Sequence, residues 1–425
     1  MNARGRELKS LPMSDPHRRM LLGVLERALE SVNGRSCTRA AAARLPDCND
    51  WRVFAIGKAA SAMTLGALDC LGPRVIEALV ISKDRHFDPG LERAAGVTCL
   101  ASGHPLPDER SLAAGAELLR RLQGLAPAQK VLFLISGGAS SLVEALPEGV
   151  SFADLRKVNE WGLSIGLDII GLNRIRKTLS LIKGGRLLRH LGGFDVHAFL
   201  VSDVPGDDPS VIGSGILGAP ESVIGPGRMP AWVQAIMKSA LPATIPDDLR
   251  IEREVIARLD DALEAAHVAG VKQGLKVAVH AQHFTGDACR LAVHCAHEMI
   301  LSEADLNLWG GESTVVLPES PGRGGRNQHL ALAAARLLAG HDDLALLAAG
   351  SDGTDGPTND AGALVDGSTL DRGTIAGFDA QTCLDRCDSG SFLEASGDLV
   401  STGPTGTNVG DLVIGLRVPS TLARR

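Results

Sequence analysis

An α/β architecture with largely parallel sheets is what this sequence predicts. Short apolar runs of strand type alternate with longer stretches of helical periodicity along the chain. The strand runs are almost continuously apolar, which suits strands covered on both faces. Glycines cluster between these runs and form no low-complexity tract. There are 49, roughly 12% of the chain against about 7% in ordinary proteins. At 425 residues the chain exceeds one ordinary core, so more than one domain is expected.

Taken in order, Arg19–Ser31 reads as a helix leading into an irregular connection. Strands follow at Arg52–Ile56 and Glu77–Ser82. Asp108–Leu122 is a helix that opens on a capping Asp and a charged first turn. After the strand Lys130–Ile135, Ser151–Leu167 is helical, with Asp154 three residues behind its Ser cap. Asn173–Arg186 continues the helical pattern, and Val196–Ser202 is the last strand of this half. Gly and Pro then crowd Gly225–Pro246, which places a boundary there, with one domain over 1–240 and a second over 241–425. Beyond it, helices are expected at Asp260–Gln273, Asp287–Ser302 and Asn327–Leu338. The strands among them are Lys276–His280, Thr314–Leu317, Ala345–Ala349 and Asp411–Leu416. No repeat of fixed period is visible.

Composition removes several function classes. The net charge of −7 gives no basic field for nucleic acid, and 3% aromatics with no Tyr supply little for base stacking. No apolar run reaches the roughly 18 residues of a membrane span. Met1–Arg19 mixes charges without a hydrophobic stretch, unlike a secretory leader. Eight scattered cysteines do not make a disulfide scaffold, so reduced thiols in a cytoplasmic protein are expected. A homo-oligomer is left open.

The residues that carry chemistry sit at the strand ends, where open α/β sheets bind ligands. Gly57-Lys58-Ala59 follows the first strand and can set an ammonium beside backbone amides. Alternatively, Lys58 is an ordinary surface lysine. Ser136-Gly137-Gly138-Ala139-Ser140-Ser141 follows Lys130–Ile135, with donors suited to a phosphate or carboxylate and no bulky side chain. The bland reading is a tight turn with Ser caps. Arg174, Arg176, Lys177, Lys183 and Arg186 make a basic helical stretch, either a solvated face or a cleft lining. Asp203, in Ser202–Asp208, is the acid to watch for a metal or a hydroxyl.

In the second half, Gly310-Gly311-Glu312 precedes a strand, and Gly322–Gly325 frees the helix start at Arg326-Asn327-Gln328. Arginine there suits bidentate capture of a carboxylate or phosphate. Asp352, Asp355 and Asp360, in and behind the loop Gly350–Gly356, offer oxygen ligands for a hard cation such as Mg2+. Thr402–Asn408 adds a hydroxyl-rich loop containing Thr405, Thr407 and Asn408.

Three patterns mislead. Gly213-Ser214-Gly215-Ile216-Leu217-Gly218 fits GxGxxG but follows no clear strand, and Pro220 blocks a long helix after it. His294 and His297 lack the zincin order and read as surface histidines. Cys383 and Cys387 lack CxxC spacing and a matching second pair.

The ordered loops together resemble the glycerate 2-kinase family of MOFRL type, some members of which carry hydroxypyruvate reductase names. The matching residues are Gly57-Lys58-Ala59, Ser102-Gly103-His104-Pro105 with Pro107-Asp108, Ser136–Ser141, Asn173 with Arg176-Lys177, Lys183–Arg186 and Ser202–Asp208. They continue through Gly310–Glu312, Gly324 with Arg326-Asn327-Gln328, Gly350–Gly356 with Asp360, and Gly403–Asn408. The resemblance spans roughly residues 53 to 418, nearly the whole chain.

It implies a Rossmann-like N-terminal domain, a MOFRL-type C-terminal domain and an active-site cleft between them. The implied reaction is transfer of phosphate from ATP, with Mg2+, to the 2-hydroxyl of D-glycerate. Lys58 and Arg326 would be the principal cations, with Asp203 serving the metal or the attacking hydroxyl. Ser136, Gly137, Gly138, Ser140, Ser141, Arg176, Lys183, Glu312, Asn327, Thr405, Thr407 and Asn408 would line the substrate and phosphate sites. Asp352, Asp355 and Asp360 would serve the metal. One departure is Asp388-Ser389-Gly390-Ser391-Phe392, where relatives often carry Asp-Ser-Tyr, so an aromatic hydroxyl contact is lost. The rival readings are an NAD(P)H-dependent hydroxypyruvate reductase, which wants a true Rossmann fingerprint, and a non-catalytic small-molecule-binding protein.

Overall fold

The computed structural model describes residues 16–418 apart from 48, 168, 221–228 and 240–243. In chain order the elements are α1 (Pro16–Ser31), α2 (Gly34–Ala42), β1 (Trp51–Ile56), α3 (Ala60–Leu71), β2 (Val75–Lys83), β3 (Val97–Ser102), α4 (Glu109–Gln123), β4 (Lys130–Ile135), the single turn α5 (Ala139–Leu142), α6 (Phe152–Ser164), α7 (Ile169–Leu179), β5 (Asp195–Val201), α8 (Ala231–Met237) and β6 (Arg250–Ala257). They continue as α9 (Leu259–Lys272), β7 (Val277–Val279), β8 (Phe284–Asp287), α10 (Ala288–Leu301), β9 (Leu306–Thr314), α11 (Arg326–Leu338), β10 (Leu344–Gly350), β11 (Gly362–Asp366), α12 (Thr369–Ile375), α13 (Ala380–Asp385), α14 (Ser389–Ser396), β12 (Leu399–Val400) and β13 (Asp411–Arg417). Among the described residues no helix is long and apolar enough to cross a membrane.

One unit, residues 34–257, is built on a six-stranded sheet in the order β3-β2-β1-β4-β5-β6, with every pairing parallel. The apolar strands β1 and β4 lie at its centre, and Phe54 and Phe133 stack there at 5.4 Å. Burial on both faces explains why these strands read as continuous apolar runs. The chain reverses its direction of winding between β1 and β4, so the loops after those two strands flank the switch point where such sheets bind ligands.

The other unit combines residues 16–33 with 258–418. Its sheet runs β12-β11-β10-β13-β9-β7, with β8 also on β9. Only the β7–β9 and β8–β9 pairings are parallel, which corrects the expectation of a largely parallel second sheet. No helix separates β10 from β11, and a parallel crossover needs one.

The expected boundary near residue 240 moves as well. β6 completes the first sheet, so that unit runs to Ala257. The sequence of β6 does not read as a strand because its charged residues break the apolar run, as befits an edge strand. Residues 16–33 leave the N-terminal half because α1 packs on α9. Arg18, buried in α1, donates to Leu364 O at 2.8 Å and pairs with Asp366 and Asp398 at 2.7 and 2.9 Å.

The expected strand Thr314–Leu317 lies upstream instead, as β9, and its Gly310-Gly311 is strand interior. A Cβ at Gly311 would fall 2.1 Å from Phe284 O, so β8 can pair this closely only with glycine there.

Candidate active site

In the 34–257 unit, the loops after β1 and β4 interlock. Lys58 N–H donates to Gly137 O at 2.9 Å, and Ala59 N–H donates to Ser136 Oγ at 3.0 Å. A Cβ at Gly57 would fall 2.2 Å from that same hydroxyl, which accounts for the glycine. Half-buried Lys58 therefore stands at the sheet switch point.

The serines predicted to bind an anion are partly committed to holding the loop. Ser141 Oγ donates to Gly138 O at 3.1 Å, and Ser140 Oγ accepts from Ser214 Oγ at 2.7 Å. The backbone amides of Gly137, Gly138, Ala139 and Ser140 take no partner among the described hydrogen bonds. Such a run of amides beside a lysine is the chemistry of an anion cradle. Asp203, half-buried, follows the end of β5 in the same sheet.

The predicted helix Asn173–Arg186 stops at Leu179. Ser180 Oγ turns inward to Glu144 at 2.6 Å and accepts from Lys183 N at 3.1 Å. Lys183 is thereby corrected from a substrate ligand to a core cation. Its side chain is 1% exposed and its ammonium pairs with Glu144, itself 1% exposed. Burial pulls the Lys183 pKa down against the attraction of Glu144. Lys183→Ala is expected to lower stability by about 3–5 kcal/mol, because an unpaired buried carboxylate remains. Urea denaturation checks this, and a loss within error of zero contradicts the assignment. Arg176 is half-buried, and burial lowers its pKa while Glu144 opposes the shift.

In the other unit, Arg326 is the first residue of α11. Its Nη1 pairs with the exposed Glu312 and its Nη2 donates to Asp411 Oδ1 at 3.1 Å. Nε lies 2.7 Å from Asp411 Oδ2, a charge contact without hydrogen-bond alignment, since that oxygen is unpartnered as an acceptor. Burial works against the Arg326 charge, but Asp411 and Glu312 outweigh it and hold its pKa above the usual value. Burial in turn pushes the Asp411 carboxyl up, against Arg326 and Asn327.

Asp355 is corrected from a metal ligand to a helix anchor. Gly325 at the α11 N-cap has no capping side chain, and Asp355 reaches across in its place. Its Oδ1 accepts from Asn327 N at 3.0 Å and Asn327 Nδ2 at 3.3 Å, and its Oδ2 from Gln328 N at 2.8 Å. Burial nevertheless pushes its pKa up to about 7. A Cβ at Gly325 would fall 2.3 Å from the Asp355 Cγ, so the glycine exists for this cap.

Asp352 Oδ1 accepts from Thr354 N and Oγ1, both at 2.9 Å. Asp360 accepts from Ser401 and, at 3.4 Å, from Arg323. It lies on a recess of about 720 Å³ lined also by Arg323, Pro321, Pro357 and Asn359. Among the described residues no three His, Cys, Asp or Glu side chains converge to hold a metal, so the expected three-Asp cluster does not form. Thr405 donates to Ser351 O, whereas the buried Thr407 hydroxyl is unpartnered. Asn408 is buried in the same strand-side loop.

Gly213–Gly218 is no dinucleotide turn, since it opens on a 3-10 turn with left-handed backbone at Gly213 and Ser214. Sequence reasoning missed Glu144, Ser214 and Asp411. Asp411 had a signal, as a lone carboxylate opening an apolar strand.

Two family matches cover most of the chain. Residues 20–226 match a family described as a domain of unknown function (DUF4147), and residues 306–411 match the MOFRL family. The chain is 33% identical to the D-glycerate 2-kinase of Thermotoga maritima, over 96% of this chain and 100% of that one. It is 35% identical to an Agrobacterium vitis protein that carries a hydroxypyruvate reductase name, over 85% of each. The crystal structure of the Thermotoga maritima glycerate kinase superposes with a TM-score of 0.81 at 30% identity, covering 95% of this chain and 99% of that one.

Proposed function

The chain belongs to the glycerate kinase family with a MOFRL domain, and from that membership we propose that it transfers phosphate from ATP to the 2-hydroxyl of D-glycerate, yielding ADP and 2-phosphoglycerate. The observation that carries this reading is the amide run Gly137–Ser140 beside Lys58 at the switch point of the parallel sheet. Phosphoryl transfer asks a protein for positioning and charge neutralisation, with little covalent chemistry. The loop amides hold an anionic group, and Lys58 and Arg326 neutralise charge that develops on the transferring phosphoryl or the substrate carboxylate. Arg176 is assigned to substrate binding.

Mg2+ fits the residues present. It needs oxygen donors, commonly one or two carboxylates with phosphate oxygens completing its shell. A Cβ at Gly350 would stand 3.6 Å from Asp352 Oδ1 and 3.6 Å from Asn327 Nδ2, so these side chains meet beside one point. The buried Asn327 Oδ1 is unpartnered. Asp352 and Asn327 would hold the ion, which when bound supplies charge neutralisation on the donor phosphates. The proposed setting is cytoplasmic, in keeping with the free thiols among the described cysteines.

The test is a phosphoryl-transfer assay with D-glycerate, ATP and Mg2+, the product read by phosphorus NMR beside an NADH-plus-hydroxypyruvate control. Formation of 2-phosphoglycerate with a silent control is expected. NADH oxidation without phosphate transfer would establish the reductase in its place.

A further inference from the structure

We infer that His104 is the group that takes the proton from the acceptor hydroxyl, a role that rests on the phosphoryl transfer proposed above. The observation is a convergence over Gly138, whose φ is +86°. The point where its Cβ would stand lies 3.2 Å from His104 Nε2, 3.2 Å from His104 Cδ2 and 3.1 Å from Lys58 Cγ. The Nε2 edge of the imidazole and the lysine stem thus share the face of the glycine loop that a side chain would fill. Glycine there leaves room for both.

The segment that carries His104 is held from two sides. Ser102, at the end of β3, donates through Oγ to Leu142 O at 2.6 Å, which ties the strand to the end of the glycine loop. Gly103 has Asp108 against it, with Cγ 2.6 Å from where a Cβ would stand. Asp108 caps α4, accepting from Arg110 N at 2.9 Å and Ser111 N at 3.3 Å. The imidazole is half-buried and its backbone is fixed, which is what a proton-transfer group requires.

The lysine and serines of the two loops, and Glu144, are committed to other duties. Lys58 must stay charged to hold phosphoryl oxygens. Ser136, Ser140 and Ser141 are engaged within the loop. Glu144 is occupied by Lys183, Ser180 and Ala145 N. Lys58 shares the Gly138 face with His104, Lys83 stands opposite Ser102 in the sheet, and Asp108 is paired by Arg110 at 2.8 Å.

In the step, the acceptor oxygen bonds to the γ-phosphorus as its proton passes to His104 Nε2. The bond from that phosphorus to the bridging oxygen breaks, and its electron pair leaves with ADP. His104 then returns the proton to water.

The test is the pH dependence of wild type, His104→Gln and His104→Ala. Wild-type kcat/KM should rise with unit slope on the acid side, as the base loses its proton. His104→Gln should lower kcat by roughly 10²–10⁴-fold and lose that limb, with KM for D-glycerate and Tm little changed. Added imidazole should restore part of the His104→Ala rate. A His104→Gln enzyme that keeps both rate and limb overturns the role, as does a limb that disappears in Asp203→Asn instead. Wild-type protein that transfers no phosphate sinks the kinase reading and this role together, whereas transfer by an unimpaired His104→Gln sinks the role alone.

Discussion

Lys58→Ala is expected to lower kcat by about 10²–10³-fold while the protein folds normally. The fold survives because the backbone of Lys58, not its ammonium, closes the loop, through the 2.9 Å bond from its N–H to Gly137 O. The side chain is half-buried at the switch point, and its truncation leaves that backbone bond in place. What is lost is a positive charge beside a run of backbone amides, and its loss is felt most where negative charge develops in the transition state. The kcat effect should therefore exceed the KM effect. Lys58→Arg should recover little, since a planar fork cannot replace a point charge beside Gly138. Steady-state kinetics with D-glycerate and ATP, paired with a thermal melt, checks this. Near-wild-type kcat in Lys58→Ala removes Lys58 from the site.

Much of the parallel unit was legible because its strands are buried on both faces. Residues 52–56, 130–135 and 196–202 read as strands from their apolar runs, and all three lie within or against β1, β4 and β5. What was not legible depends on distant partners. β6 looks like a charged linker until β5 lies beside it. α1 looks like part of the N-terminal half until Arg18 is seen against Asp366 and Asp398. β9 was misplaced because two glycines inside a strand look locally like a loop, and only the approach of Phe284 explains them.

The candidate site divides along the same line. Lys58, the glycine loop and Arg326 stand out in the sequence because glycines at strand ends and helix starts announce close backbone approach. Their duties were harder to read, since acidic residues in glycine loops look alike on paper. Asp355 resembles a metal ligand, yet it caps a helix that begins without a capping side chain of its own. Lys183 resembles a cleft cation, yet Glu144 holds it in the core. Burial decides between these uses, and burial is a tertiary property.

Arg326→Ala should show both consequences of removing a cation from this setting. The rate should fall by about 10³–10⁵-fold, the scale of losing an arginine that neutralises charge in phosphoryl transfer. Stability should fall too, because Asp411 is 2% exposed and loses the cation that opposes its burial. The Asp411 pKa then rises further above its unfolded value of about 3.9. A raised folded-state pKa gives stability that is present at low pH and lost as pH climbs through it. Asp355, already near 7, loses the same support and shifts in the same direction. Arg326→Ala should therefore melt closest to wild type at pH 5 and furthest below it at pH 8. Adding Asp411→Asn removes the stranded carboxylate, so the double variant should regain much of its stability at pH 8 and none of its rate. Recovery of both would make Arg326 a structural counter-ion, whereas recovery of stability alone makes it a group of the reaction.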